Sequence, residues 1–409
     1  MEKPQYYSIT VKKMNILTRH SDWLVKTQEL YNQILEFYYN LYLDTFQDGR
    51  PGSMEALRTL EKLTIPGRDR QPVQYPLPWQ KVPLYFRRAA INSAIAVASS
   101  YLSREKQKIR STSFTESVTC YKGMYRDFEG NAITLKVWTG EKWLWNRIKL
   151  RGNTIPEEGQ MMSPSIVLKK TGPELHIPWK TFVKDGRTAK ERMAEGTNLC
   201  SVRFTNTDTF AVCCILDELG KQLAVHNCRG GDAYRHRCKL LDTRIQKSRP
   251  NTVGDNSPQP NRKYYMHLKN LSEHYAHQVS REILNFCKEN QAGIIVLPDY
   301  DRNFTRMSMV KSGNFSPLHL SSKIRTNLQY KAWAEGILVL DVNAKEMHRI
   351  CAICGSEITQ QNKESKRFVC KEGHQGDAYL NVARNAAKRC LEQFQKKAGK
   401  EKNVSTKKS

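Results

Sequence analysis

Residues 351–385 read CAICGSEITQQNKESKRFVCKEGHQGDAYLNVARN, and this stretch decides how the rest of the chain is read. Cys351-Ala-Ile-Cys354 and Cys370-Lys-Glu-Gly-His374 are two pairs of thiol or imidazole ligands with fifteen residues between them. Each pair makes a tight turn, so both of its ligands can face one ion, and the set suits tetrahedral Zn2+. The segment between them, Gly355 to Val369, is polar and too poor in apolar residues to fold alone. In that situation metal binding supplies the folding energy. Four protein ligands leave no open coordination position, so Cys351, Cys354, Cys370 and His374 are expected to hold a structural zinc and not a catalytic one.

Upstream of this knuckle the hydrophobic pattern is that of an α/β unit. Leu199 to Phe204, Phe210 to Leu216 and Gln222 to His226 read as three consecutive strands, joined at Asn206-Thr207-Asp208 and Asp217-Glu218-Leu219-Gly220. A basic helix follows, carrying Arg235, Arg237, Lys239, Arg244, Lys247 and Arg249. Residues 249–262 are polar, contain proline and read as a mobile loop. A long amphipathic helix then spans about Tyr264 to Asn290, burying Leu268, Leu271, Tyr275, Val279, Ile283 and Phe286. Gly293 to Leu297 is a continuous apolar run, the mark of a strand buried on both faces. A helix near Ser321 to Glu335 leads to a last strand, Ile337 to Val342. The Lys-rich tail beyond Gly399 reads as disordered.

The first half is patterned differently. Tyr6 to Ile16 alternates like a strand. Ser21 is placed to cap a long helix whose stripe is Leu24, Leu30, Tyr31, Ile34, Leu35, Tyr38, Leu41 and Tyr42, read as core. After the proline-rich stretch Pro72 to Pro83, Pro83 opens a second helix with Ile91, Ile95, Ala98 and Leu102 on one face and Arg87 and Arg88 as a basic edge. From Ser117 to Phe182 the pattern is one of short strands. Thr139-Gly140-Glu141 turns one hairpin, with Trp143 and Trp145 on one face of its return, and Thr171-Gly172-Pro173 turns another. These strands, with the N-terminal one as first member, read as a small β-barrel interrupted by the helices.

The 409 residues include 66 Lys plus Arg against 40 Asp plus Glu, a formal charge of +26 distributed along the whole chain. Such an excess repels itself in a compact fold, and a polyanionic partner is the usual reason to keep it. No stretch has the length of a bilayer-spanning helix, and the N-terminus lacks the apolar run of a secretory signal, so no membrane partner is expected. Eleven cysteines, an odd number in a chain this long, read as reduced thiols, with Cys213 and Cys214 in the core. The expected location is the cytoplasm, on the nucleoid of a prokaryotic cell.

The segment directly after the knuckle, Gly376-Asp377-Ala378-Tyr379-Leu380-Asn381-Val382-Ala383-Arg384-Asn385, resembles the last RuvC motif of the TnpB family and the related type V CRISPR effectors. In that motif an Asp follows a zinc knuckle and is trailed by Asn-Ala-Ala and another Asn. The resemblance covers roughly Asn198 to Leu391, and the strand order and the basic helix fit it. It implies a multidomain α/β fold: an RNase H-like (RuvC) core with a zinc-knuckle insertion, plus an N-terminal wedge β-barrel interrupted by a helical recognition domain. The implied boundaries are 1–16 and 112–192 for the wedge, 17–111 for the recognition domain and 193–345 with 377–398 for the RuvC-like domain. The zinc-binding insertion then takes 346–376, and 399–409 is a disordered basic tail.

Family members are RNA-guided DNA endonucleases in which three carboxylates, one per motif, hold two divalent metals. Counting back from Ala211-Val212 puts Phe204 at the position of the first Asp and Asn206 at that of a turn glycine. The second motif ends an apolar strand with Glu-Asp, but here Pro298 stands at the Glu position, before Asp299. Of the three carboxylates only Asp377 remains. Asp208 lies four residues past Phe204, about 13 Å along an extended chain, and in a strand Asp299 faces away from its neighbour Pro298. The centre is therefore read as degenerate, and catalytic Mg2+ is not expected.

The implied partners are a guide RNA and double-stranded target DNA with a short flanking motif. The expected nucleic-acid contacts are Arg87, Arg88, Arg235, Arg237, Lys239, Arg244, Lys247 and Arg249, with Trp143 and Trp145 as further possibilities. The expected function is RNA-guided DNA binding by occupancy, as a transcriptional repressor or a targeting module. The competing readings are an active RNA-guided endonuclease with displaced metal ligands and a DNA-binding protein that needs no RNA.

Overall fold

A computed structural model describes residues 6–46, 49–67, 73–103, 113–152, 154–248, 261–300, 302–362 and 364–405. The chain divides into two compact units, one of residues 9–181 and one of residues 182–409 with the first eight residues.

The first unit opens with β1 (Tyr7–Leu17) and three helices, α1 (Ser21–Thr45), α2 (Ser53–Thr64) and α3 (Leu84–Leu102). The stripe predicted for α1 is buried along its length. Two of its tyrosines also find polar partners, Tyr31 on Ser93 and Tyr38 on Thr64, each at 2.8 Å. Ser21 is the first helical residue and not the cap. The cap position falls to His20, whose side chain accepts no capping bond and stacks on Trp23 instead. Helix α2 has no counterpart in the sequence reading; Ala56, Leu57 and Leu60 form its buried side.

The strands β2 (Val118–Thr119), β3 (Tyr125–Arg126), β4 (Ala132–Trp138), β5 (Trp143–Gly152), β6 (Gln160–Met161), β7 (Ser165–Lys169) and β8 (Gly172–Phe182) join β1 in an eight-stranded sheet. Its order is β2-β7-β8-β1-β5-β4-β3, with β6 beside β8. The N-terminal strand thus lies in the middle of the sheet, and among the described residues the path from β2 to β3 is not closed. The β4–β5 hairpin turns at Gly140, whose φ of 103° suits glycine, and pairs Trp138 with Trp143.

The second unit begins with α4 (Ala189–Ala194), started by a reciprocal cap between Thr188 and Glu191. Next come β9 (Asn198–Phe204), β10 (Ala211–Leu216), β11 (Gln222–Cys228), α5 (Gly231–Lys247), α6 (Arg262–Glu289) and β12 (Ala292–Asp299). The remainder is α7 (Arg302–Lys311), a 3-10 turn (Pro317–Leu320), α8 (Ser321–Ala334), β13 (Leu338–Asn343), β14 (Ile358–Gln361), β15 (Arg367–Cys370), β16 (Gln375–Asp377) and α9 (Ala378–Ser405). Five strands form one sheet in the order β11-β10-β9-β12-β13. Its first three strands are antiparallel neighbours, and β12 runs parallel to both β9 and β13.

Period-two alternation divides this sheet between two cores. Cys200, Val202, Ile295 and Leu297 face α5, α6 and α8. Leu199, Ile294 and Val296 face α9 through Val382, Ala386 and Cys390. Two-sided burial explains why the Gly293–Leu297 run carries no polar residue. Arg192 of α4 is fully buried, which nothing in its sequence neighbourhood announces. Its guanidinium donates to the carbonyls of Arg187, Gly293, Gly336 and Asp185 at 2.5–3.0 Å, tying the loop before β9 to the entries of β12 and β13.

The helix α9 runs to Ser405, into the Lys-rich stretch expected to be a disordered tail. Ala, Lys and Glu are strong helix formers, and a basic composition does not oppose a helix that is already nucleated. The loop expected at 249–262 falls largely on residues 249–260, which lie outside the described residues, as do residues 406–409.

Candidate functional site

The knuckle is inserted between β13 and α9 and built on the small sheet β14-β15-β16. Cys351, Cys354, Cys370 and His374 place one ligand atom each within 4.8 Å of all the others. Cys354 Sγ is 3.7 Å from Cys370 Sγ, and Cys370 Sγ is 3.5 Å from His374 Nδ1. A tetrahedron with Zn–S bonds of about 2.3 Å has edges of about 3.8 Å, so the spacing and the soft donor set fit zinc. Burial pushes the Cys351 thiol up. For Cys370 burial also pushes upward, but contacts with Ser356 and His374 outweigh it and bring the thiol down to about 6. Hydrogen bonds with Cys370 and Cys354 raise His374.

Helix α9 splints this knuckle. Asn381 Oδ1 accepts from Ala352 N at 2.8 Å, while its Nδ2 donates to Ile350 O at 2.8 Å. Asn385 Nδ2 donates to the carbonyls of Met347 and Ile350, and Lys388 Nζ to that of Ala352. The two asparagines of the motif after the knuckle therefore hold backbone.

A second locus lies where the parallel strands β9 and β12 end. Phe204 and Pro298 line one cavity of about 220 Å³, together with Arg203, Asp299, Tyr300 and Arg325. The Arg203 guanidinium lies over the Tyr300 ring, 4.8 Å from its centre. Arg325 Nη1 donates to Asp341 Oδ1 at 2.6 Å, and its Nη2 donates to the Pro298 carbonyl at 3.2 Å. The one oxygen that Pro298 offers is thus met by a cation.

Two carboxylates considered as metal ligands, Asp377 and Asp208, have other partners. Asp377 is exposed and is not among the residues lining the cavity; its Oδ1 accepts from Leu380 N at 2.7 Å, capping α9. Asp208 Oδ1 accepts from Asp232 N at 3.1 Å and its carbonyl from Gly231 N at 2.6 Å, at the start of α5. Gly231 permits that approach, because a Cβ there would meet Thr207 O at 2.4 Å. Pro298 is buried and Asp299 exposed, yet Asp299, expected to face away, lines the same cavity as Phe204 and Pro298, as the single carboxylate among its lining residues. Asn206 accepts from Tyr379 OH on its side chain and from Arg235 on its carbonyl, joining α9 and α5 to the end of β9. Among the described residues, no group of three Asp, Glu, His or Cys ligands forms at this cavity.

The basic residues divide by environment. Arg87 and Arg88 both turn onto Glu61 of α2, Arg88 with two bonds at 3.0 and 2.9 Å, and Arg87 is only 12% exposed. Their charge is spent inside the first unit, a pairing hidden from the sequence because α2 was not foreseen. Trp143 is half-buried, whereas Trp145 is exposed with Arg126 over its ring at 4.4 Å. Along α5, Arg235 bonds internally to Asp232, while Arg237, Lys239, Arg244 and Lys247 are exposed. Arg237 and Arg244 share a groove of about 450 Å³ with His267, Asn270 and His274 of α6. Arg249 lies outside the described residues.

Residues 7–139 match the model of the Aq_aa04 family, and residues 322–386, which include the knuckle, match that of the Cas12f1-like TNB domain. No curated protein matches the chain by sequence. Among solved structures, Cas12f1 in a complex with sgRNA and target DNA aligns over 90% of this chain and 81% of its own, with a TM-score of 0.55 and 13% identity. The mini-RNA-guided endonuclease CRISPR-Cas_phi3 aligns over 94% and 92%, with a TM-score of 0.52 and 9% identity. CasPhi-2 (Cas12j) bound to crRNA aligns over 95% and 99%, with a TM-score of 0.50 and 10% identity. In fold the chain is thus similar to the type V effectors Cas12f1 and CRISPR-Cas_phi3, and the segment that carries the four-ligand knuckle is similar to the Cas12f1-like TNB domain.

Proposed function

We propose that the chain is an RNA-guided DNA-binding protein whose RuvC-like nuclease centre is inactive, and that it acts by occupying its target. The observation that carries this reading is the cavity at the ends of β9 and β12. Phe204 and Pro298, which the motif resemblance puts at the positions of metal-binding carboxylates, line it, and Arg325 donates to the Pro298 carbonyl. A ring offers a divalent cation no oxygen, and a neighbouring guanidinium repels it. Asp208 and Asp377 are engaged at helix N-termini, which leaves Asp299 as the one carboxylate lining the cavity.

In this reading the five-stranded sheet is the RuvC-like core and the eight-stranded sheet the wedge, with α1 to α3 as the recognition helices. The knuckle holds one structural zinc. The partners are a guide RNA and double-stranded DNA with a short flanking motif, in keeping with the Cas12f1 complex and with the +26 charge. The groove of Arg237 and Arg244 on α5 contacts phosphate. A bound protein that does not cut blocks a promoter or brings other machinery to the site, in the cytoplasm on nucleoid DNA.

The test is to purify the protein with its RNA, sequence that RNA, and incubate the complex with matched DNA in excess Mg2+ or Mn2+. The DNA is expected to be retained in a gel shift, to be released steeply with salt, and to run full length on a denaturing gel. Cleavage abolished by Asp377→Ala would instead establish an endonuclease with displaced ligands. Sequence-specific binding by RNA-free protein would establish a conventional DNA reader.

A further inference from the structure

A second set of metal-binding side chains meets at the edge of the five-stranded sheet, away from the knuckle and the degenerate cavity. β11 is the outer strand of that sheet, and His226 and Cys228, two residues apart on it, point to the same face. Glu282 reaches them from α6. His226 Nε2 lies 2.6 Å from Glu282 Oε1, and the ligand atoms of His226, Cys228 and Glu282 all fall within 4.8 Å of one another. The His226 ring is fixed against Phe286, one turn along α6, at a centroid distance of 5.3 Å. Cys213, paired with His226 across the ladder, puts a second buried thiol on the same face. The Cys228 thiol is completely buried, whereas the side chains of His226 and Glu282 are 37% and 32% exposed. The cluster therefore has a dry sulfur floor and a mouth open to solvent. A His–Glu ion pair accounts for the 2.6 Å contact, but it does not call for a thiol within reach of both groups.

We propose that His226, Cys228 and Glu282 form a second divalent-metal site of zinc-like preference, with water in the fourth position on the solvent side. One thiolate, one imidazole and one carboxylate are each ordinary zinc donors, and the mixed set is too soft for Mg2+ or Ca2+. Ligand edges of about 3.3–3.8 Å around such an ion require the His–Glu contact to open by roughly 1 Å, within the reach of two partly exposed side chains. The bound ion staples the outer strand β11 to α6, closing a sheet edge by coordination.

The test is metal content of the full-length protein after equilibration with micromolar Zn2+ and removal of the free ion. The expected result is about two zinc ions per chain, falling to about one both in Cys354→Ser, which breaks the knuckle, and in Glu282→Gln, which breaks the second site. Glu282→Gln alters a partly exposed side chain and keeps its shape, so it separates lost coordination from lost folding. Cys228→Ser is expected to give the same loss. A wild-type value of about one zinc that disappears in Cys354→Ser, or two zinc ions retained in both Glu282→Gln and Cys228→Ser, overturns the proposal.

Discussion

If Asp377 is a helix cap and not a metal ligand, its truncation to Ala and its isosteric change to Asn have separable effects. Its Oδ1 accepts from Leu380 N at 2.7 Å, at the third residue of α9. Replacing an N-cap Asp by Ala costs about 1 kcal/mol. The charge at the helix N-terminus adds about 0.3 kcal/mol for so exposed a group. Asp377→Ala should therefore destabilise by about 1.3 kcal/mol, which for a unit of this size lowers Tm by roughly 3–5 °C. Asp377→Asn keeps the oxygen acceptor and loses only the charge, so its shift should be about 1 °C. A metal ligand behaves in the opposite way, because an amide is a far weaker donor to Mg2+ than a carboxylate. The assay is thermal unfolding of the zinc-loaded protein, followed by near-UV circular dichroism, with and without Mg2+. Equal losses in the two variants would refute the capping argument. So would a Mg2+-dependent rise in wild-type Tm that Asp377→Asn abolishes.

Three further outcomes follow from the same structure. Arg192→Met leaves four carbonyls, one buried and three partly buried, without their donor and should cost about 3–5 kcal/mol in chemical denaturation, with Arg192→Lys in between. Asp185 is held down to about 2, chiefly by its hydrogen bonds with Arg187 against a smaller opposing effect of burial. Its folded value lies below the unfolded one, so its contribution is complete above about pH 4 and is lost as pH falls toward 2. Asp185→Asn should flatten Tm against pH in that window. Cys354→Ser should release the knuckle zinc and raise hydrogen exchange in the amides of residues 351–377, measured by mass spectrometry.

What the sequence disclosed was what lies close along the chain. The CxxC pair and the Cys370–His374 pair are local, and so were read directly. The strands β9, β10 and β12 announced themselves because burial on both faces leaves long apolar runs. Helix α2 escaped because only one side of it is apolar and it is flanked by irregular segments. The ion pair of Arg87 and Arg88 with Glu61, the carbonyl cage around Arg192 and the His226–Cys228–Glu282 cluster each include a contact between residues 26 to 144 positions apart. No local pattern encodes them; they exist only once the sheet and helices have packed. The places of Phe204 and Pro298 in the motifs rest on short local spacing. The guanidinium of Arg325 at the Pro298 carbonyl was not foreseen, because Arg325 reaches it from another element.

The splint of Asn381, Asn385 and Lys388 gives α9 two duties at once. The same helix closes one face of the five-stranded sheet through Val382, Ala386 and Cys390 and fastens the backbone of the first ligand loop. The backbone of the first ligand loop is thus anchored on a helix that the sheet holds independently, through Leu199, Ile294 and Val296, so the knuckle is built on a platform that does not depend on it.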